Sequence, residues 1–239
     1  MSESDWLDNI SIDWSDFDNA SRISGEIVRH LAADRALLRR MVLEAQQDER
    51  LRPLAEKHHE LTYIVLYDAL DRGLRVRLHR FTKGLEDIPH NHRFSFSSAL
   101  LSGSYVHTVF DLERPEDAAP GRELWALDQP EGTHEGTSVQ QLRMAGLRPA
   151  LATVQSAGSS YTLHHSTIHK TAMPDETAFS VFCRGPAEKP CALQLQPDTR
   201  TYLWKFGRAN ETPDVLAARR LSDDEFSDFI EMLEEADVI

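Results

Sequence analysis

Apolar residues in the first sixty positions recur at helical spacing. Ile23, Ile27, Val28 and Leu31 fall on one helix face, and after a break Leu37, Leu38, Met41 and Val42 do the same. This pattern predicts two amphipathic helices, with a third over Leu51 to His59 that carries Pro53 near its start, where proline is tolerated. From Tyr63 the pattern changes to short runs of β-branched, aromatic and leucine residues separated by Gly, Pro, Asp and Ser. The runs are Tyr63 to Leu66, Leu74 to Phe81, Ser95 to Leu101, Tyr105 to Phe110, Glu123 to Leu127, Ser138 to Met144, Leu151 to Gln155, Ser160 to Leu163, His169 to Ala172 and Ala178 to Cys183. Many short strands at regular intervals argue for an antiparallel sandwich or barrel rather than βαβ units. Leu193 to Phe206 supplies one or two closing strands. Helix then returns: Thr212, Pro213 and Asp214 form a start signal, and Ser222 with Glu225 forms a capping box ahead of Phe226, Phe229, Ile230 and Leu233. The expected organisation is an N-terminal helical extension (1–60), a β-barrel (61–206) and a C-terminal helical segment packed on it (207–239).

At 239 residues and 41% hydrophobic, the chain can bury one generous core with helical additions. No window of about 18 unbroken apolar residues occurs, and the N-terminus is acidic where a signal peptide would be basic and then apolar. A cytoplasmic protein that is not exported is expected. The net charge of −13, from 39 acidic against 26 basic residues, weighs against nucleic acid and anionic membranes as partners. Its concentration in Ser2 to Asp18 and Asp223 to Asp237 fits solvated faces. Cys183 and Cys191 match no zinc or redox spacing and are expected to be two unpaired thiols, in keeping with a reducing compartment.

Histidine placement points to chemistry. Of eleven histidines, five fall in two short segments, one holding His90 and His92, the other His164, His165 and His169. In an extended strand alternate side chains share a face, so His90 and His92 can serve one metal ion together. A third ligand must come from a distant strand, and the second cluster offers it. His165 shares strand parity with Tyr161 and His169, although a turn between them would cancel that relation.

A His-x-His pair, an apolar strand ending in Leu-Leu-x-Gly, and a distal Tyr followed eight residues later by His resemble the cysteine dioxygenase branch of the cupin superfamily. The matching positions are His90, His92, Leu100, Leu101, Gly103, Tyr161 and His169, and Ala178 to Pro186 resembles the strand that follows. The resemblance covers Tyr63 to Pro186, about half the chain. It implies a mainly β cupin barrel (a double-stranded β-helix, or jelly roll) with helical additions at both ends. It also implies iron held by His90, His92 and His169. Departures matter as well. Where four-ligand cupins place a glutamate this chain has Phe96 and Ser97; where the branch has a His and a Tyr after the last ligand it has Phe182 and Arg184; and no arginine lies in Tyr63 to Tyr67. Cysteine itself is therefore not expected as the substrate.

Around this centre, Tyr105 and Tyr161 are candidates to hydrogen-bond reacting oxygen. His164 or His165 could carry a proton near the metal, His165 being the catalytic candidate, and His107, in phase with Tyr105, could support a ligand. Arg75, Arg77 and His79 share one strand face. That face is expected to lie open to water. If instead it points into the barrel, Arg75 and Arg77, joined by Arg184, would suit a carboxylate. His30, His58, His59, His79 and His134 are read as ordinary surface or packing residues. The function expected is a non-heme Fe(II) oxygenase acting on dioxygen and a small amino-acid-derived or carboxylate-bearing molecule, without 2-oxoglutarate. Two alternatives keep the barrel: a hydrolase, isomerase or lyase using zinc, manganese or nickel, and a non-catalytic small-ligand binder. A homodimer is expected by analogy. Phosphate loops, nucleophile elbows and nucleotide fingerprints are absent.

Overall fold

The computed structural model describes residues 5–59, 61–84, 86–114, 116–117, 124–129, 141–172, 176–196, 201–206 and 211–239. Helix α1 (Phe17–Ala33) begins where the Asp16 carboxylate accepts a hydrogen bond from the Asn19 amide at 3.1 Å. Asp34 closes α1 and opens α2 (Arg35–Gln47), its carboxylate accepting from the Leu37 amide at 2.8 Å. The helix expected over Leu51 to His59 does not form. A single 3-10 turn (Arg52–Leu54) gives way to β1 (Glu56–Lys57), which pairs with β2 (Leu61–Ala69). Proline suits a helix's first turn, but β2 offers the following residues a strand partner instead.

The remaining strands are β3 (Leu74–Phe81), β4 (Phe96–Ser102), β5 (Ser104–Glu113), β6 (Leu124–Gln129), β7 (Gln141–Ser156), β8 (Ser160–Leu163), β9 (Ile168–Ala172), β10 (Ala178–Arg184), β11 (Cys191–Gln196) and β12 (Thr201–Phe206). They form two six-stranded sheets, one ordered β1-β2-β3-β10-β4-β8 and the other β11-β12-β6-β7-β5-β9. After β4 the chain crosses to the second sheet, and from β7 through β11 each successive strand changes sheet. This is the winding of a double-stranded β-helix. The protein is a mainly β cupin-type barrel with helices at both ends.

Gly103 joins β4 to β5 at a φ of +74°, where a Cβ would stand 2.6 Å from the Thr177 carbonyl oxygen, so only glycine fits this crossing. Two runs that read as separate strands, Ser138 to Met144 and Leu151 to Gln155, belong to the one long strand β7, apart from 138–140, which lie outside the described residues. Val109 pairs with Leu151 and Phe110 with Pro149, so an irregularity in register absorbs the proline without ending the strand.

Chain ends and sheet are held by one core. Ile27, Val28, Leu31, Leu38 and Met41 of the first helices meet Ile64, Leu74, Val76, Leu78, Val181 and Cys183 of the first sheet. Helix α3 (Pro213–Arg219) starts at Thr212, and α4 (Asp223–Glu235) starts with the expected Ser222/Glu225 capping box and adds Phe226, Phe229, Ile230 and Leu233 to the same core. Arg35 ties these parts together, donating to the carbonyls of Val238 (2.9 Å) and Leu101 (2.8 Å). Cys183 and Cys191 are free and buried. No helix among the described residues is long and apolar enough to cross a membrane.

This packing decides which way β3 faces. Leu74, Val76 and Leu78 turn toward the helices, so Arg75, Arg77 and His79 point into the barrel. The expectation of a water-facing arginine surface is corrected accordingly.

Candidate metal centre and its cavity

His90 and His92 stand on a loop before β4, not in a regular strand. The loop is held extended because backbone groups on both sides pair with it. The His90 amide donates to the His169 carbonyl at 2.9 Å and the His169 amide returns to the His90 carbonyl at 2.8 Å. On the other side the Asn91 amide donates to the Leu193 carbonyl at 2.9 Å, the Leu193 amide to the Asn91 side-chain oxygen at 2.8 Å, and the Leu195 amide to the Pro89 carbonyl at 2.9 Å. The pair is thereby fixed between β9 and β11, directly beside the third histidine.

One ring nitrogen from each of His90, His92 and His169 lies within 4.8 Å of the others. The Nε2 atoms of His92 and His169 face each other at 2.9 Å. Two imidazole nitrogens bound at right angles to one ion, each at the usual metal–nitrogen length, would be separated by about 3 Å. Tautomers agree with this geometry. His90 Nδ1 is 2.8 Å from the Ile88 carbonyl and 3.1 Å from the Asp87 carboxylate, both acceptors, so Nδ1 carries the hydrogen and Nε2 keeps its lone pair. His169 Nδ1 meets His107 Nε2 at 3.0 Å, leaving His169 Nε2 for the shared point. Burial, followed by the neighbouring histidines, pushes the pKa of His92 and His169 well below the ordinary value, and burial lowers that of His107 to about 4. All three are neutral at physiological pH, the protonation state in which imidazole ligates. The residues present fit a single divalent ion, and no carboxylate belongs to this converging group among the described residues.

The centre opens on a cavity of about 410 Å³ between the sheets. Tyr161 lines it, stacked on His107 with ring centroids 4.6 Å apart. Tyr105 lies behind, its hydroxyl 2.9 Å from that of Tyr161. Burial pushes the Tyr161 phenol up to about 12 and that of Tyr105 well above its ordinary value, so both keep their protons. Phe96 and Phe182 stack at 4.4 Å to form an apolar wall.

The three arginines enter the cavity on different terms. Arg75 is engaged, its Nε and Nη2 donating to the two Asp68 carboxylate oxygens at 2.8 and 2.7 Å. Arg77 lies over the Tyr63 ring at 4.2 Å. Arg184, only 7% exposed, lies over the Phe94 ring at 4.2 Å, and its buried Nε has no hydrogen-bond partner. Burial, then the charges of Arg77 and Arg75, push its pKa down to about 8.

His165 stands apart from the cavity. A turn closed by the Thr167 amide on the His164 carbonyl (3.0 Å) separates it from His169, and its Nδ1 meets the Glu188 carboxylate at 3.0 Å. His165 is not among the residues that line the cavity, so the proton-carrier role expected of it finds no support in the geometry. His79 changes in the opposite sense. Expected as a packing residue, it is buried in the cavity wall and stacked on Phe182 at 4.4 Å. Its parity with Arg77 was the available signal. His58 also reaches the cavity lining, 3.1 Å from the Glu56 carboxylate, while His30 packs edge-on to Trp6. His134 lies outside the described residues.

No protein-family model matches the chain, and no curated protein matches it in sequence. Among solved structures it is similar to a cupin-like protein of unknown function from Ralstonia eutropha (16% identity, 75% of this chain and 76% of that one, TM-score 0.36). It is also similar to the DMSP lyase DddQ from Ruegeria pomeroyi (10% identity, 58% and 53%, TM-score 0.36) and to KdgF from Halomonas (12% identity, 56% and 87%, TM-score 0.33). The match spans about half the length of the lyase.

Proposed function

We propose that this protein is an iron(II)-dependent oxygenase of the three-histidine cupin kind, acting on a small carboxylate-bearing molecule. One observation carries the reading: three imidazoles, with no carboxylate among them, converge on one point at the wall of a cavity. Iron bound there would supply open positions for dioxygen and a substrate donor atom side by side. His90, His92 and His169 would hold it, with His107 and the Ile88 carbonyl fixing two of the rings through their far nitrogens. Phe96 and Phe182 present an apolar surface beside the centre, which would strengthen charge interactions near it. Tyr161, backed by Tyr105, offers a phenol that remains protonated and can donate to an oxygen of the substrate or of dioxygen. Arg184, whose nearest described contacts are an aromatic ring and the Gly185 carbonyl, is suited to hold a carboxylate.

The same donor set is also that of a hydrolytic zinc site, and one experiment separates the two. Metal content of the purified protein is measured, the iron form is exposed to nitric oxide, and oxygen uptake is followed with a panel of amino and hydroxy acids. An electron paramagnetic resonance signal of a nitrosylated iron(II) centre, with uptake on at least one acid, is expected. Zinc as the resident metal, with turnover in the absence of oxygen, would replace this reading by a hydrolase, isomerase or lyase.

A further inference from the structure

The cavity wall opposite the histidines is built from β3 and β10, which pair so that Arg75, Arg77 and His79 stand beside Arg184, Phe182 and Ser180. Polar atoms of this wall buried without a hydrogen-bond partner include Oγ of Ser180, which lies outside the cavity lining, and two that belong to the lining, Nε2 of His79 and Nε of Arg184. Both residues line the cavity and are more than nine-tenths buried, at 5% and 7% exposure. Leaving a buried donor or acceptor without a partner is costly, and more so when it is charged, so a fold that retains His79 Nε2 and Arg184 Nε on the cavity lining carries a standing demand for a ligand. Arg75 cannot meet that demand, because both oxygens of Asp68 occupy its fork. Between the two orphaned groups lies Phe182, stacked on His79 on one side and on Phe96 on the other, each at 4.4 Å.

We infer that His79 and Arg184 form a two-point substrate subsite for a small carboxylic acid that bears a second polar group, with its apolar middle passing the edge of Phe182. Arg184 takes the carboxylate; His79 hydrogen-bonds the distal hydroxyl or amine through Nε2. Simple fatty acids satisfy only one of the two orphans, so this wall discriminates against them. The inference rests on the cavity being the substrate site, as proposed above, but not on the identity of the metal or on the use of oxygen.

The test is equilibrium binding to the full-length protein as purified, under argon so that no turnover intervenes. The probes are 3-hydroxypropionate, 4-hydroxybutyrate and 5-hydroxyvalerate, each against propionate, butyrate and valerate. At least one hydroxy acid is expected to bind about fivefold or more tightly than its plain counterpart, as one buried hydrogen bond allows. His79→Phe keeps the ring on Phe182 and is expected to erase that preference while leaving the plain acid's affinity unchanged. It should also be no less stable than the wild type, because an orphaned nitrogen has been removed. His79→Gln, which can return an amide to the same region, is expected to restore part of the preference. Arg184→Met should weaken every acid by about tenfold or more. Equal affinities within each pair, a preference that survives His79→Phe, loss of stability in His79→Phe, or unchanged binding in Arg184→Met would each overturn the subsite. Loss of oxygen uptake with the binding pattern intact would count against the oxygenase alone.

Discussion

His169 faces the cavity with Nε2 2.9 Å from that of His92, whereas His165, four residues earlier, turns away and pairs with Glu188 at 3.0 Å. Both belong to groups whose potential ligand atoms lie within 4.8 Å of one another. What differs is what the surroundings have already satisfied. In the inner group the far nitrogens of His90 and His169 are occupied, so the near ones are left to converge with that of His92. In the outer group Glu188 accepts from the Ser95 amide at 2.6 Å as well as meeting His165, the His165 amide donates to Ser95 Oγ at 3.0 Å, and His164 meets Ser166 Oγ at 2.7 Å. That cluster is a clamp joining the β8–β9 turn to the start of β4. Proximity of histidines is therefore a weak criterion for a metal site, and unsatisfied convergence is the better one.

The contrast can be broken most sharply at His169. His169→Ala should leave the protein folded and reduce its metal content to background after dialysis, as measured by elemental analysis; retained metal would mean that the inner group is not the centre. A smaller effect is expected from His107→Phe, which leaves all three ligands but removes the partner that orients one of them. Competition with a chelator should show affinity lowered by about 10–100-fold. Glu188→Ala tests the outer group. It strands the Ser95 amide and one His165 nitrogen, so urea unfolding should show a loss of about 1–3 kcal/mol with metal content unchanged. If metal were lost in step with Glu188, the clamp assignment would fall. His164→Ala should be the mildest, within about 0.5 kcal/mol of wild type and with full metal, since its described polar partner is a neighbouring serine in its own turn.

Features that depend on residues close together in the chain could be read directly. The Ser222/Glu225 box acts within a few positions, whereas the glycine at the β4–β5 crossing is also required by the Thr177 carbonyl from a distant part of the chain. The three metal-facing histidines were legible only in combination, since spacing alone left His164, His165 and His169 as rivals and the resemblance to a known branch favoured the last. Strand parity put His90 and His92 on one side, as found, although they converge from a loop held extended by β9 and β11 rather than from a regular strand. The helix expected over Leu51 to His59 gave way because β2 captured residues of that segment. Pro149 lies between two runs that read as separate strands, yet one shift in register accommodated it within a single strand.

The order of helices and strands, the caps that start them and the pool of candidate ligands were determined by the sequence itself, because each follows from side-chain size, charge and spacing over a few residues. Tertiary structure decided which face of β3 looks inward. Leu74, Val76 and Leu78 had to be covered by helices from both distant ends of the chain before Arg77 and His79 could be committed to the cavity. The alternation of β3 is the same from either side, so only the burial gained by the long-range helix packing distinguishes the two orientations, and that energy is not encoded in the strand alone.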